Sequence, residues 1–127
     1  MRTITPKSIL VVEDEPAVAK ALCLLLSCDR HQVEAVGDGE GAIAKYDGGW
    51  RYDLVITDFA MPGIDGLELA RMLKERAPQK PVLLLTAHLE TVSSQEKVRL
   101  RNVDAVVGKP FTLEELNEAL VSMFPHE

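Results

Sequence analysis

The sequence predicts an α/β protein, a doubly wound parallel sheet in a three-layer sandwich with helices on both faces. Three observations lead there. Five short apolar runs rich in β-branched residues recur along the chain, helical patterns lie between and after them, and no repeat, low-complexity tract or long Pro/Gly/Ser linker interrupts the alternation. Strand and helix alternating five times over implies right-handed βαβ crossovers, because a twisted parallel sheet receives its connecting helices in that hand.

The strand candidates are Ile9 to Val12, Val33 to Val36, Leu54 to Thr57, Val82 to Thr86 and Ala105 to Val107. Their near-continuous hydrophobicity suits strands buried on both faces. The first helix opens at Pro16, since the missing N–H would have no partner in a first turn anyway. Val18, Leu22, Leu25 and Leu26 then share one helical face. A shorter helix spans about Glu40 to Tyr46 and is closed by Gly48-Gly49. The third begins near Gly66, carries Leu67, Ala70 and Leu73 on one stripe, and must stop before Pro78. A fourth is expected over about Glu90 to Leu100, although Val92, Val98 and Leu100 are nearly all its apolar content. The last is the best marked, because Thr112 and Glu115 form a capping box ahead of Leu113, Leu116, Leu120 and Phe124.

The 127 residues, 46% hydrophobic and 27% charged, are material for one core. We expect a single domain over residues 1–127 with an ordered core from about 8 to 124. Fourteen basic residues against twenty acidic ones give a formal charge of -6, a poor match to a phosphate backbone. The apolar run Ala21 to Leu26 is far shorter than the roughly 20 residues of a membrane span. The polar start from Met1 to Lys7 has no secretory pattern. A soluble, cytoplasmic protein is therefore expected, with neither nucleic acid nor membrane as a direct partner. Cys23 and Cys28 read as reduced thiols on different sides of one helix. The scattered His31, His88 and His126 read as surface residues without a zinc site.

Doubly wound sheets bind ligands beyond the carboxyl ends of their strands. The first strand ends at Glu13-Asp14-Glu15 and the third at Asp58. Taken one at a time, the acids before Pro16 fit a helix terminus and Asp58 fits the turn toward Pro62-Gly63. Crowded carboxylates at the edge of a buried sheet, however, raise one another's pKa unless a cation compensates. Magnesium suits such a cluster, since it takes one or two protein carboxylates and leaves room for water and phosphate oxygens. The fourth strand ends at Thr86-Ala87 and the fifth just before Lys109-Pro110, which adds a hydroxyl and an ammonium to the same rim. The set describes a phosphoryl acceptor: ionised Asp58 attacks phosphorus, the metal and Lys109 neutralise charge, and Thr86 holds an oxygen.

In order and spacing, the segments Ile9 to Pro16, Asp58 to Gly66, Thr86-Ala87 and Lys109-Pro110-Phe111 resemble the receiver domain of bacterial two-component response regulators, over essentially the whole chain. The resemblance implies a flavodoxin-like fold with strand order 2-1-3-4-5 and five helices. It implies that Asp58 is the phosphorylation site, that Asp14 ligates Mg2+ (or Mn2+) directly with Glu13 assisting, often through water, and that Ala60 gives its backbone carbonyl. Thr86 and Lys109 would contact the phosphoryl group, and the Lys109–Pro110 peptide would be cis, aiming the lysine inward. The donor would be a phosphohistidine on a histidine kinase or histidine phosphotransfer protein, and a homodimer is a further partnership left open. Such a protein is a signalling receiver that catalyses only its own phosphotransfer and autodephosphorylation, and its altered surface would regulate a partner or output domain.

Three departures from the family pattern stand out. Glu13-Asp14 replaces the usual aspartate pair, a change metal binding should survive. Val106 stands where many members carry a tyrosine or phenylalanine that turns inward on phosphorylation, and valine cannot make that swing. The polar stretch Ser93 to Lys97 weakens the neighbouring helix. Two rival chemistries fit poorly. A haloacid dehalogenase phosphatase needs a second aspartate where Ala60 stands, and a flavodoxin needs a phosphate-binding Ser/Thr/Gly loop where Glu13-Asp14-Glu15 stands. A phosphorylation-independent interaction module is the remaining alternative. No output region is expected after the final helix, so the chain reads either as a free-standing receiver or as the receiver of a longer regulator.

Overall fold

A computed structural model describes residues 4–87, 100–125 and 127. Five strands, β1 (Ser8–Val12), β2 (Gln32–Val36), β3 (Leu54–Asp58), β4 (Val82–Thr86) and β5 (Ala105–Gly108), form one parallel sheet in the order β2-β1-β3-β4-β5. Among the described residues the helices are α1 (Pro16–Ser27), α2 (Gly39–Asp47), α3 (Gly66–Arg76) and α4 (Leu113–Ser122), with a 3₁₀ turn at Leu100–Asn102. The helix expected over about Glu90 to Leu100 lies outside the described residues, apart from Leu100, which opens that turn.

Successive strand residues point to opposite faces, so each strand feeds two cores. Ile9 and Val11 of β1, Leu54 and Ile56 of β3, and Leu83 and Leu85 of β4 join Leu22 and Leu26 of α1 and Leu116 and Leu120 of α4 on one side. Leu10, Val12, Val55 and Val82 join Ala42 of α2 and Leu69, Ala70 and Leu73 of α3 on the other. These are the three layers the alternation implied. Burying a Leu or Ile side chain is worth about 1.5–3 kcal/mol, and β1, β3 and β4 are where the buried aliphatic residues concentrate.

Helix starts follow the local chemistry. Pro16 opens α1, Asp38 caps α2 by accepting from the Gly41 N–H, and Asp65 caps α3 by accepting from the Glu68 N–H. The capping box of α4 is formed, with Thr112 and Glu115 bonding each other's backbone N–H groups at 3.0 and 3.1 Å.

Four expectations need correction. β2 is not buried on both faces, because it is the edge strand and residues such as Glu34 and Ala35 face outward. Leu113 does not join the apolar stripe of α4 but is 53% exposed. It occupies the first turn, where side chains lean toward the helix N-terminus and no preceding turn covers them. Cys28 caps the end of α1 rather than lying within it, and both cysteines are free thiols. His31 is buried rather than on the surface, with Nδ1 accepting the Lys7 N–H at 2.9 Å. Burial holds its pKa below the ordinary imidazole value, although Asp29 pulls the other way. His88 and His126 lie outside the described residues. No described helix is long and apolar enough to cross a membrane.

Candidate functional site

The sheet order reverses between β1 and β3, and the crevice at that switch point is lined by the residues that follow those strands. Asp58, the last residue of β3, is 9% exposed. Its backbone is fixed from several directions. The Thr57 hydroxyl donates to the Asp58 carbonyl at 3.0 Å, the Phe59 N–H donates to the Leu85 carbonyl of β4, and the Gly66 N–H donates to the Phe59 carbonyl, both at 2.8 Å. α3 begins so close to β3 that a Cβ on Gly66 would overlap the Asp58 carbonyl oxygen and fall 2.8 Å from Leu84 Cδ1.

Glu13, one residue beyond β1, is 3% exposed. Its N–H donates to the Val36 carbonyl of β2, and its Oε2 accepts the Glu15 N–H at 3.2 Å. Asp14 is exposed beside it. Glu15 holds the cap position of α1 without making a side-chain cap hydrogen bond, so helix capping does not account for this acidic run.

Lys109 follows β5 and closes the site. Its Nζ lies 2.9 Å from Asp58 Oδ1 and 3.1 Å from Glu13 Oε1, and its backbone N–H donates to the Thr86 carbonyl at 2.7 Å. Thr86 is buried at the end of β4, in register with Gly108, and the Lys109–Pro110 peptide is cis. Ala60 sits on the exposed β3–α3 loop two residues past Asp58. Val106 is half-buried on β5, opposite Leu84.

The electrostatics follow from partial burial. Loss of water pushes the Glu13 carboxyl up and Asp58 adds to the rise, while the Glu15 N–H and Lys109 oppose it. For Lys109, burial works against the ammonium, but hydrogen bonds to Asp58 and Glu13 outweigh it and hold the pKa above the usual lysine value. The lysine is therefore charged at neutral pH. One oxygen from each of Glu13, Asp14 and Asp58 lies within 4.8 Å of the others, so among the described residues three carboxylates gather around the Lys109 ammonium. An all-oxygen, anion-rich donor set of this kind fits a hard divalent cation.

The structure thus brings Glu13, Asp14, Asp58 and Lys109 together, with Thr86 joined through the Lys109 backbone and Ala60 on the adjoining loop. Thr57, Asp65 and Gly66 support the site and were not singled out by sequence reasoning as doing so. The signal was present in the Asp65-Gly66 pair, a capping residue and a residue without a side chain placed where α3 must start against β3.

A flavodoxin-like sandwich with an acidic cluster and a lysine at its switch point defines the receiver class of α/β domains. Comparison with known proteins agrees: a family model described as the response regulator receiver domain matches residues 9–121. The chain belongs to the response regulator receiver domain family, the signalling domains of two-component systems. It is 42% identical over 108 residues to the transcriptional regulatory protein TcrA of Mycobacterium tuberculosis (strain ATCC 25618 / H37Rv), covering 85% of this chain and 42% of that protein. It is 39% identical over 111 residues to the response regulator MprA of Mycolicibacterium vanbaalenii, covering 87% of this chain and 47% of that one. The chain thus spans less than half the length of these curated relatives. Among solved structures, the response regulator TrrA of Thermotoga maritima, crystallised in complex with Mg2+ and BeF, superimposes with a TM-score of 0.82 at 34% identity, covering 92% of this chain and 98% of that one.

Proposed function

We propose that this domain, in the cytoplasm, accepts a phosphoryl group on Asp58 from a phosphohistidine of a histidine kinase or histidine phosphotransfer protein, and that the modified domain presents a changed surface to a partner or output domain. The observation that carries this reading is the Lys109 ammonium bridging Asp58 and Glu13 beside Asp14. The Mg2+ and BeF complex of the similar TrrA domain supports it.

In the transfer, a carboxylate oxygen of Asp58 attacks phosphorus. The new O–P bond forms as the P–N bond to the donor imidazole breaks, and the departing nitrogen keeps the electron pair and takes a proton from water. Autodephosphorylation is the attack of water on the same phosphorus, releasing inorganic phosphate and the Asp58 carboxylate. Lys109 neutralises charge on the transferring oxygens, and the Thr86 hydroxyl holds one of them. Glu13, Asp14, Asp58 and the Ala60 carbonyl would hold Mg2+ or Mn2+, which when bound supplies positive charge opposite the phosphoryl oxygens.

Phosphorylation adds about one to three charge-assisted hydrogen bonds. At about 1.5–3 kcal/mol each, they approach the roughly 5.5 kcal/mol that inverts a 1:99 equilibrium. With valine at position 106, the response travels by a shift of Thr86 rather than by an aromatic swing. Incubation with Mg2+ and acetyl phosphate, followed by intact mass measurement, tests the proposal. Wild type should gain one phosphoryl group and Asp58→Asn none. No gain by wild type would overturn the proposal and favour the phosphorylation-independent interaction module.

A further inference from the structure

The loop from Phe59 to Asp65 joins Asp58 to α3 and carries Ala60. It leans on the first turn of α2, an element that contributes no residue to the acidic cluster. A Cβ on the buried Gly39 would overlap Ile64 Cγ1 and fall 2.5 Å from Ile64 Cδ1, so the loop's isoleucine rests directly on the α2 backbone. A second seam lies one residue earlier. Gly63 adopts φ +78°, and a Cβ there would come 2.7 Å from Glu40 Oε1, so the Glu40 side chain covers the tip of the same loop. Ile64 also packs with Val36, Ile43 and Met61 around the core on that side of the sheet. At its other end the loop is tied down by the Gly66 to Phe59 backbone bond.

We propose that Gly39 is a positioning residue for the metal site: by letting the first turn of α2 sit flush against Ile64, it holds the 59–65 loop, and with it the Ala60 carbonyl, in the conformation that cation binding requires. This rests on the reading of Asp58 as phosphoacceptor and of Ala60 as a carbonyl donor. The physical reason is that a loop carrying a ligand binds well only if its ordering entropy is already spent, and residues that orient a ligand without touching the ion commonly affect metal affinity about 10–100-fold. A side chain on Gly39 would occupy the space that Ile64 Cγ1 and Cδ1 now fill, so the Ile64 side chain has to move from its seat on α2.

The test uses Gly39→Ala, Ile64→Ala, the double variant and wild type, with two readouts. One is Mg2+ affinity by calorimetric titration, and the other is amide hydrogen exchange at Gly66 in metal-free protein. Gly39→Ala is expected to weaken Mg2+ binding about tenfold and to speed Gly66 exchange. Ile64→Ala, which leaves the contact unfilled and serves should Gly39→Ala fold poorly, should act in the same direction. The double variant should recover much of both losses, since removing the Ile64 branch makes room for the new methyl group. Leu73→Ala, a core truncation within α3, should lower thermal stability while leaving Mg2+ affinity unchanged. If wild type binds Mg2+ and the Gly39 and Ile64 variants bind it equally well, the inference fails and the phosphoacceptor reading stands. If wild type binds no Mg2+, the metal assignment falls and the inference falls with it.

Discussion

Replacing Lys109 with methionine keeps most of the aliphatic stem and removes the ammonium that Asp58 and Glu13 share. At about 3 Å and an effective dielectric near 20, each contact represents roughly 5 kcal/mol of raw attraction, much of it cancelled by desolvation of the ammonium and repulsion between the carboxylates. Removing one partner of a fully buried pair costs about 3–5 kcal/mol. Here the side-chain exposures are 24% for Lys109, 2% for Glu13 and 12% for Asp58, so solvent screens part of the loss. We expect the metal-free variant to be destabilised by about 2–3 kcal/mol at pH 7, which lowers Tm by about 10 °C for a domain of this size. Without the lysine, Glu13 loses one of the partners that oppose the rise burial gives it, so its folded-state pKa stands further above its unfolded value. The folded state then takes up protons first as pH falls, so the deficit shrinks toward about pH 4. Mg2+ should stabilise Lys109→Met more than wild type, because the cation replaces a charge the variant lacks. Denaturant unfolding at pH 7 and pH 4, with and without Mg2+, measures all of this. A variant as stable as wild type at pH 7, or a deficit that widens in acid, would refute the idea that Lys109 offsets a crowded anionic site.

Two further predictions concern stability. Thr112→Ala removes the acceptor for the Glu115 N–H and should cost about 1 kcal/mol, read as a shift of the urea midpoint with an unchanged slope. His31 is buried with its folded pKa depressed, so the stability it contributes is present above the ordinary imidazole value and is lost as pH falls below about 6.5. His31→Asn, which can still accept the Lys7 N–H, should flatten the stability profile between about pH 6.5 and 5.5 relative to wild type. Parallel profiles for the two proteins would show that His31 takes up no proton on unfolding in that range.

The strands were legible because central parallel strands must be apolar on both faces, and Val82 to Thr86 was bounded correctly from composition alone. β2 misled because an edge strand in the same sheet needs only part of that burial, and the mark of its place, Glu34 in mid-strand, was passed over among its apolar neighbours. The carboxylates and Lys109 were legible through a topological rule, since each stands immediately after an apolar run. What the linear pattern could not supply was the backbone's tertiary pairing. Asp53 accepts the Ser8 N–H and Asp104 the Val82 N–H, both at 2.8–2.9 Å, yet each looks in sequence like an ordinary loop acid. His31 was misjudged for the same reason, because its partner is a backbone amide 24 residues away.

The 3.1 Å bond between Glu13 and Lys109 joins positions 96 residues apart. A growing polypeptide therefore holds its acids long before it holds their counter-charge, which arrives only when the last strand slides into place beside β4. Until then Glu13 and Asp58 have no Lys109 ammonium between them, so a half-made or unravelled copy carries the carboxylates without the charge that gathers them at one rim.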